Sequence, residues 1–177
     1  MRLDPKYFNL FIGICALLTL IVIVWGTINY SQKQEREFRE NISEIEIDTL
    51  SFHMYSSADS LKIGDEAGKP IIIQFWSTWS GKSMMIHSFL DEYQAENPEL
   101  MVVAASVKDA EELIQEYIDE QNYNFYYVEG TGFFQELLVP GVPSSILIYK
   151  NGKLIDTQVG DDTESLKVLL DKLMDGS

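Results

Sequence analysis

Cysteine is nearly missing from this chain. Cys15 is the single cysteine among 177 residues. No disulfide can close within the chain, and no thiol pair is available for electron exchange. Positive charge is also thin, with 13 Lys and Arg against 28 Asp and Glu, a formal net charge of −15. Such a surface repels nucleic-acid phosphates and anionic headgroups, so no nucleic-acid partner is expected. The plain reading of that charge is solubility.

Charge is absent altogether from Phe8 to Ile28. About 21 residues at 1.5 Å each span roughly 31 Å, close to the thickness of a bilayer core. Tyr7, Trp25 and Tyr30 stand near the ends, where amphipathic rings favour the interface. The run is longer than the apolar part of a cleaved signal peptide, and Ile23-Val24-Trp25-Gly26-Thr27 offers no small-x-small cleavage site. A buried helix of a soluble domain is rarely apolar on every face. An uncleaved anchor is therefore expected, with Cys15 an ordinary apolar residue inside it. Arg2 and Lys6 precede the span and Lys33, Arg36 and Arg39 follow it. By the positive-inside rule that count does not place the N-terminus inside.

Three regions are expected: a membrane anchor over residues 1–30, a polar linker or stalk over 31–44, and a globular domain over 45–177. Asn41-Ile42-Ser43 fits a glycosylation acceptor, which matters only in a eukaryotic secretory setting. Alternation of Ile45, Ile47 and Leu50 with polar residues predicts a half-buried strand. Ser56 to Lys69 reads as a turn-rich connection. Ile71 to Trp76, apolar except for Gln74, suits a strand covered on both faces. Ile86, Phe89, Leu90 and Tyr93 recur at helical spacing until Asn97-Pro98. Leu100 to Val107 is a second apolar strand. Asp109 is placed to cap a helix running to Gln121, and Asn124 to Val128 reads as a short aromatic strand. A short helix follows around Phe133 to Leu138. Asn151-Gly152 between Ser145–Tyr149 and Lys153–Val159 signals a hairpin. Asp162 or Thr163 opens a last helix whose stripe is Leu166, Leu169, Leu170, Leu173 and Met174. The order describes an α/β domain, one mixed sheet with helices on both faces.

The residues from Phe75 to Ser83 read Phe-Trp-Ser-Thr-Trp-Ser-Gly-Lys-Ser, between a strand and a helix. They resemble the active-site turn of the thioredoxin family, whose usual form is Trp-Cys-x-x-Cys, with Ser80 and Ser83 at the two cysteine positions. Gly141-Val142-Pro143-Ser144 looks like the loop where that family carries a cis-proline. Lys150-Asn151-Gly152-Lys153 with Gly160 resembles its terminal hairpin and closing glycine. The resemblance covers residues 45 to 175. It implies a thioredoxin-like fold of the membrane-anchored TlpA and ResA branch, with the domain outside the cytoplasm.

The same resemblance marks what is gone. A hydroxyl is a far weaker acid than a thiol and forms no disulfide, so Ser80-Gly81-Lys82-Ser83 is a degenerate motif with no catalytic role expected. Gln74 stands where the family often has a carboxylate or Asn, and its amide does not titrate in the working range. What the family's groove keeps is Trp79 with Val142, Pro143 and Ser144, an apolar shelf suited to an extended protein or peptide partner. No cofactor and no metal are expected. The expected function is a redox-inactive interaction module. One alternative is an accessory subunit of a thiol-exchange or cytochrome-maturation system. A second is a non-thiol enzyme using Ser80, Ser83 and His87, since His87 follows Ser83 by one helical turn. His53 reads as a loop or surface residue. A phosphate-binding loop is disfavoured, because Trp76 stands where its first glycine belongs.

Overall fold

The computed structural model describes residues 5–57, 59–66, 68–148 and 151–175. Arg2 of the charged flank, and Tyr149 and Lys150 of the expected strand and turn, lie outside them, as do the side chains of Lys6 and Tyr7.

The N-terminal helix α1, Pro5–Ser43, is unbroken from the apolar run through the polar stretch. Its most apolar 18-residue window has a mean hydropathy of 2.6, and none of that window is buried in the protein. It is long and apolar enough to cross a membrane. Its last turns behave differently. Phe38 and Ile42, four residues apart on one face, are fully buried in the core of the following domain. Asn41 Nδ2 donates to the carbonyl of Leu137 at 3.0 Å, and Arg39 meets Asp156 at 3.0 Å. The end of the polar stretch is thus a stalk joined to the domain.

The predicted strand over Ile45–Leu50 does not form. A bend and a 3-10 turn, Ile47–Thr49, carry those residues, and Ile45, Ile47 and Leu50 point into the core from irregular backbone. Alternation arose from a turn folded over the core edge, which repeats apolar contacts without a ladder. The strand lies just beyond, β1 Ser51–His53, paired antiparallel with β2 Ser60–Lys62 inside the supposed connection. This hairpin reaches the main sheet through a bridge from Met54 to Val128 and a bond from Tyr55 N to the Tyr127 carbonyl.

The main sheet has five strands: β3 Ile71–Trp76, β4 Met101–Ser106, β5 Tyr126–Glu129, β6 Ser144–Ile148 and β7 Leu154–Val159, in the order β5-β4-β3-β6-β7. β3, β4 and β5 are parallel; β6 runs against β3, and β7 against β6. Helices α2 Gly81–Glu96, α3 Glu111–Gln121, α4 Thr131–Glu136 and α5 Thr163–Asp175 complete the domain. Side chains alternate across β3. Ile71, Ile73 and Phe75 join Phe38, Ile42 and Leu137 on one face, while Ile72 packs with Leu90, Leu166 and Leu170 on the other. The mixed sheet with helices on both faces is as expected. Gly130 is required where it stands, since a Cβ there would lie 2.7 Å from Ala105 Cβ.

Two helix starts refine the reading. Asp162 caps α5, its carboxylate accepting from the amides of Glu164 and Ser165 at 3.1 Å each. Asp109 does not cap α3. Ala110 holds that position without a side-chain bond, and Asp109 is drawn instead to the turn after β3.

Candidate docking site at the serine turn

The antiparallel register sets Phe75 beside Ser144, so the end of β3 and the start of β6 meet at one end of the sheet. Trp79 and the four motif residues leave β3 there, and Val142 and Pro143 enter β6 there. The Val142–Pro143 bond is cis. The Pro143 carbonyl accepts from Gly160 N at 2.9 Å, and Gly160 takes a φ of +99°, which favours glycine. Ser144 Oγ donates to the Gly141 carbonyl at 2.7 Å.

The serine turn is tied to its neighbours rather than free. Ser77 Oγ donates to the Val107 carbonyl at 2.5 Å. Thr78 donates twice to the Asp109 carboxylate, from N at 2.5 Å and from Oγ1 at 2.8 Å. Ser80 is the N-cap of α2, its Oγ accepting from Ser83 N at 3.2 Å. A hydroxyl at this position suits helix capping. Ser83 is fully buried, and its Oγ has no partner among the described residues. Lys82 reaches across the end of the sheet to Asp161 at 2.9 Å. That bond holds the Asp161 carboxyl below its ordinary range. Trp79 stands out from this frame, 69% exposed. Val142 is half-buried against the core. Trp76 is in the core, as its place on β3 implies.

Beneath the turn the protein is polar but uncharged. His87 is buried, with Nε2 2.8 Å from Gln74 Oε1 and Nδ1 2.9 Å from the Tyr117 hydroxyl. With an amide oxygen facing it, Nε2 carries the proton and Nδ1 accepts from Tyr117. Trp76, Phe125 and Tyr127 surround the imidazole, the Trp76 ring centroid at 4.7 Å. Burial pushes the His87 pKa down to about 3 and raises the Tyr117 hydroxyl above its usual value. His87 is therefore a neutral structural residue. Both its nitrogens are bound to groups other than Ser80 and Ser83, so His87 is not placed as a base for either serine. His53 is exposed on β1. Among the described residues, no group of three or more His, Cys, Asp or Glu could hold a metal ion.

The structure thus brings Trp79, Ser80, Gly81, Lys82, Ser83, Val142, Pro143 and Ser144 to one mouth and leaves His87 below it. Sequence reasoning missed Asp109 as a tie for Thr78, Asp161 as the partner of Lys82, and the Gln74–His87–Tyr117 chain. Each joins residues from separate elements, with no local spacing to show the pairing.

No protein-family model matches the chain. A curated relative is the thiol-disulfide oxidoreductase ResA of Bacillus cereus, 24% identical over 118 residues, 64% of this chain and 68% of ResA. Among solved structures, DsbF of MTB superposes with a TM-score of 0.63 at 18% identity, covering 73% of this chain and 98% of its own. A secreted disulfide oxidoreductase of Mycobacterium tuberculosis gives 0.61 at 18%, covering 72% and 98%. StoA of Bacillus subtilis gives 0.53 at 17%, covering 71% and 99%.

Proposed function

From a thioredoxin-like fold whose cysteine positions hold Ser80 and Ser83, we propose that this chain is a membrane-anchored, redox-inactive module that docks a protein or peptide outside the cytoplasm. The carrying observation is the pairing of a lost nucleophile with a kept frame. The turn, the Pro143 loop and an exposed Trp79 are all present, and the cysteine pair is not. An extended segment laid beside the Pro143 loop would gain main-chain hydrogen bonds, and Trp79 would supply an apolar contact. The secreted neighbour from Mycobacterium tuberculosis supports the extracytoplasmic placement by analogy.

The test uses full-length protein extracted in detergent. Trp79→Ala and Val142→Asp should each reduce recovery of a bound partner by about tenfold, the scale of a buried aromatic anchor. Recovery unchanged by both substitutions would remove the groove from the reading. A second experiment asks whether the cysteine pair alone is missing. Ser80→Cys with Ser83→Cys, in a Cys15→Ala background, should form a disulfide and gain reductase activity toward insulin. Failure to form the bond would mean that the turn has lost redox geometry as well as thiols.

The relation to ResA favours a second reading, an accessory subunit of a thiol-exchange or cytochrome-maturation system in which another chain supplies the cysteines. Co-purification with a cysteine-bearing thioredoxin-like protein would select it. A serine-based enzyme has least support, because His87 is committed to Gln74 and Tyr117.

A further inference from the structure

The direction in which α1 meets the sheet decides where the mouth points. Ile42 and Ser43 share a cavity wall with Gly152–Ile155, at the start of β7. Arg39 pairs with Asp156 in its middle. Gln32, Glu35 and Arg36 line a cavity with Thr157 and Val159 at its end. The stalk and β7 therefore run antiparallel, and the membrane end of α1 lies level with the C-terminal end of β7. That end is the mouth, where Val159 pairs with Ser144, Gly160 bonds Pro143, and Asp161 bonds Lys82.

The distances are short. From Gln32 back to Ile28, the last residue of the apolar run, is about 6 Å of helix. Headgroups occupy roughly 5–8 Å on each side of the hydrocarbon core. The mouth thus faces the bilayer from the edge of the headgroup layer. The buried Phe38 and Ile42 fix this orientation, since turning the domain away would expose both.

Resting on the docking reading above, we infer that the groove beside Trp79 and Pro143 takes the juxtamembrane segment of an integral membrane protein, bound in extended form as it leaves the bilayer. A soluble partner would have to enter between the domain and the lipid. The lipid surface itself is a poorer occupant. The chain has a net charge of −15, and at the mouth Lys82 offsets Asp161 while Asp162 adds a further negative charge, so anionic headgroups are repelled. That balance suits a neutral or basic peptide.

Two measurements on the full chain test this. First, Glu164→Cys and Lys153→Cys, each with Cys15→Ala, are labelled with a donor dye in vesicles carrying a headgroup acceptor. The label at 164 should lie nearer the bilayer by about 15–20 Å, the length of β7. Equal heights or the reverse order overturn the orientation, whatever docks. Second, Gly141→p-benzoylphenylalanine, beside the Pro143 loop where an added Cβ meets nothing within 4 Å, is irradiated in native membranes of the source organism and the adducts are mapped by mass spectrometry. Adducts within about ten residues of another protein's membrane span support the inference, that length of extended chain reaching roughly 33 Å. Adducts to a soluble protein overturn it while leaving docking intact. Adducts to lipid alone, or none, overturn both the inference and the docking reading.

Discussion

The seam between α1 and the sheet and the mouth at the serine turn border the same strand, yet they follow opposite rules. At the seam, Phe38 and Ile42 are enclosed by core residues, and little but Arg39 and Asp156 marks the join from outside. At the mouth, the frame is fixed by hydrogen bonds donated by Ser77 and Thr78 and by the bond that Ser80 accepts from Ser83 N, and the largest apolar side chain, Trp79, faces outward. Burial at the seam spends apolar surface on orientation. Exposure at the mouth leaves it available to the proposed partner. Substitutions at the first should therefore cost stability, and at the second, binding.

The contrast can be broken most directly at Phe38. Truncation by Phe38→Ala should destabilise the domain by about 3–5 kcal/mol, read by denaturant unfolding in detergent, because the pocket cannot collapse around the loss. A change below about 1 kcal/mol would mean that the helix merely leans on the sheet. Next is the neutral histidine under the mouth. Its folded pKa of about 3 lies below its ordinary 6.5, so the unfolded chain binds the extra proton between those values. The stability this contributes is complete above pH 6.5 and is lost as pH falls toward 3, at about 1.4 kcal/mol per pH unit. Thermal unfolding in detergent between pH 6.5 and 5 should show the fall, and His87→Leu should flatten it. Ser80→Ala removes the cap of α2 and should cost about 1 kcal/mol in the same assay. Smallest of all, Trp79→Ala should move stability by no more than about 0.5 kcal/mol, while binding suffers. A large loss of stability at Trp79 would place it in the fold and collapse the distinction between seam and mouth.

The parts of the fold with strong local patterns were legible. Ile71–Trp76 and Met101–Ser106 are strands because continuous apolar runs of that length suit a sheet covered on both sides. The stripe of α5 names its buried face, with Leu166, Leu170 and Leu173 inside. The pairing of the serine turn with the Pro143 loop was legible through resemblance, which carries long-range register that composition lacks. The anchoring of the stalk was not, although Phe38 and Ile42 stand four apart in an otherwise polar stretch, a faint helical signal. Ile45, Ile47 and Leu50 misled because a bend over a core edge produces the same alternation as a strand. Asp109 misled because a carboxylate before a helix can cap it or reach elsewhere. Here the two donors of Thr78 drew it away.

For a chain tethered as proposed, the borders of the sheet have a consequence. Tethered chains move in two dimensions and meet often. A bare strand rim would invite each copy to stitch onto the next. Here one rim is occupied by the β1–β2 hairpin, through Met54, Tyr55 and the bond between the Tyr55 and Ser106 hydroxyls at 2.7 Å. The other is shadowed by the protein's own anchor helix, through Arg39. Crowding should therefore leave this domain free of lateral polymerisation through the rims of its sheet.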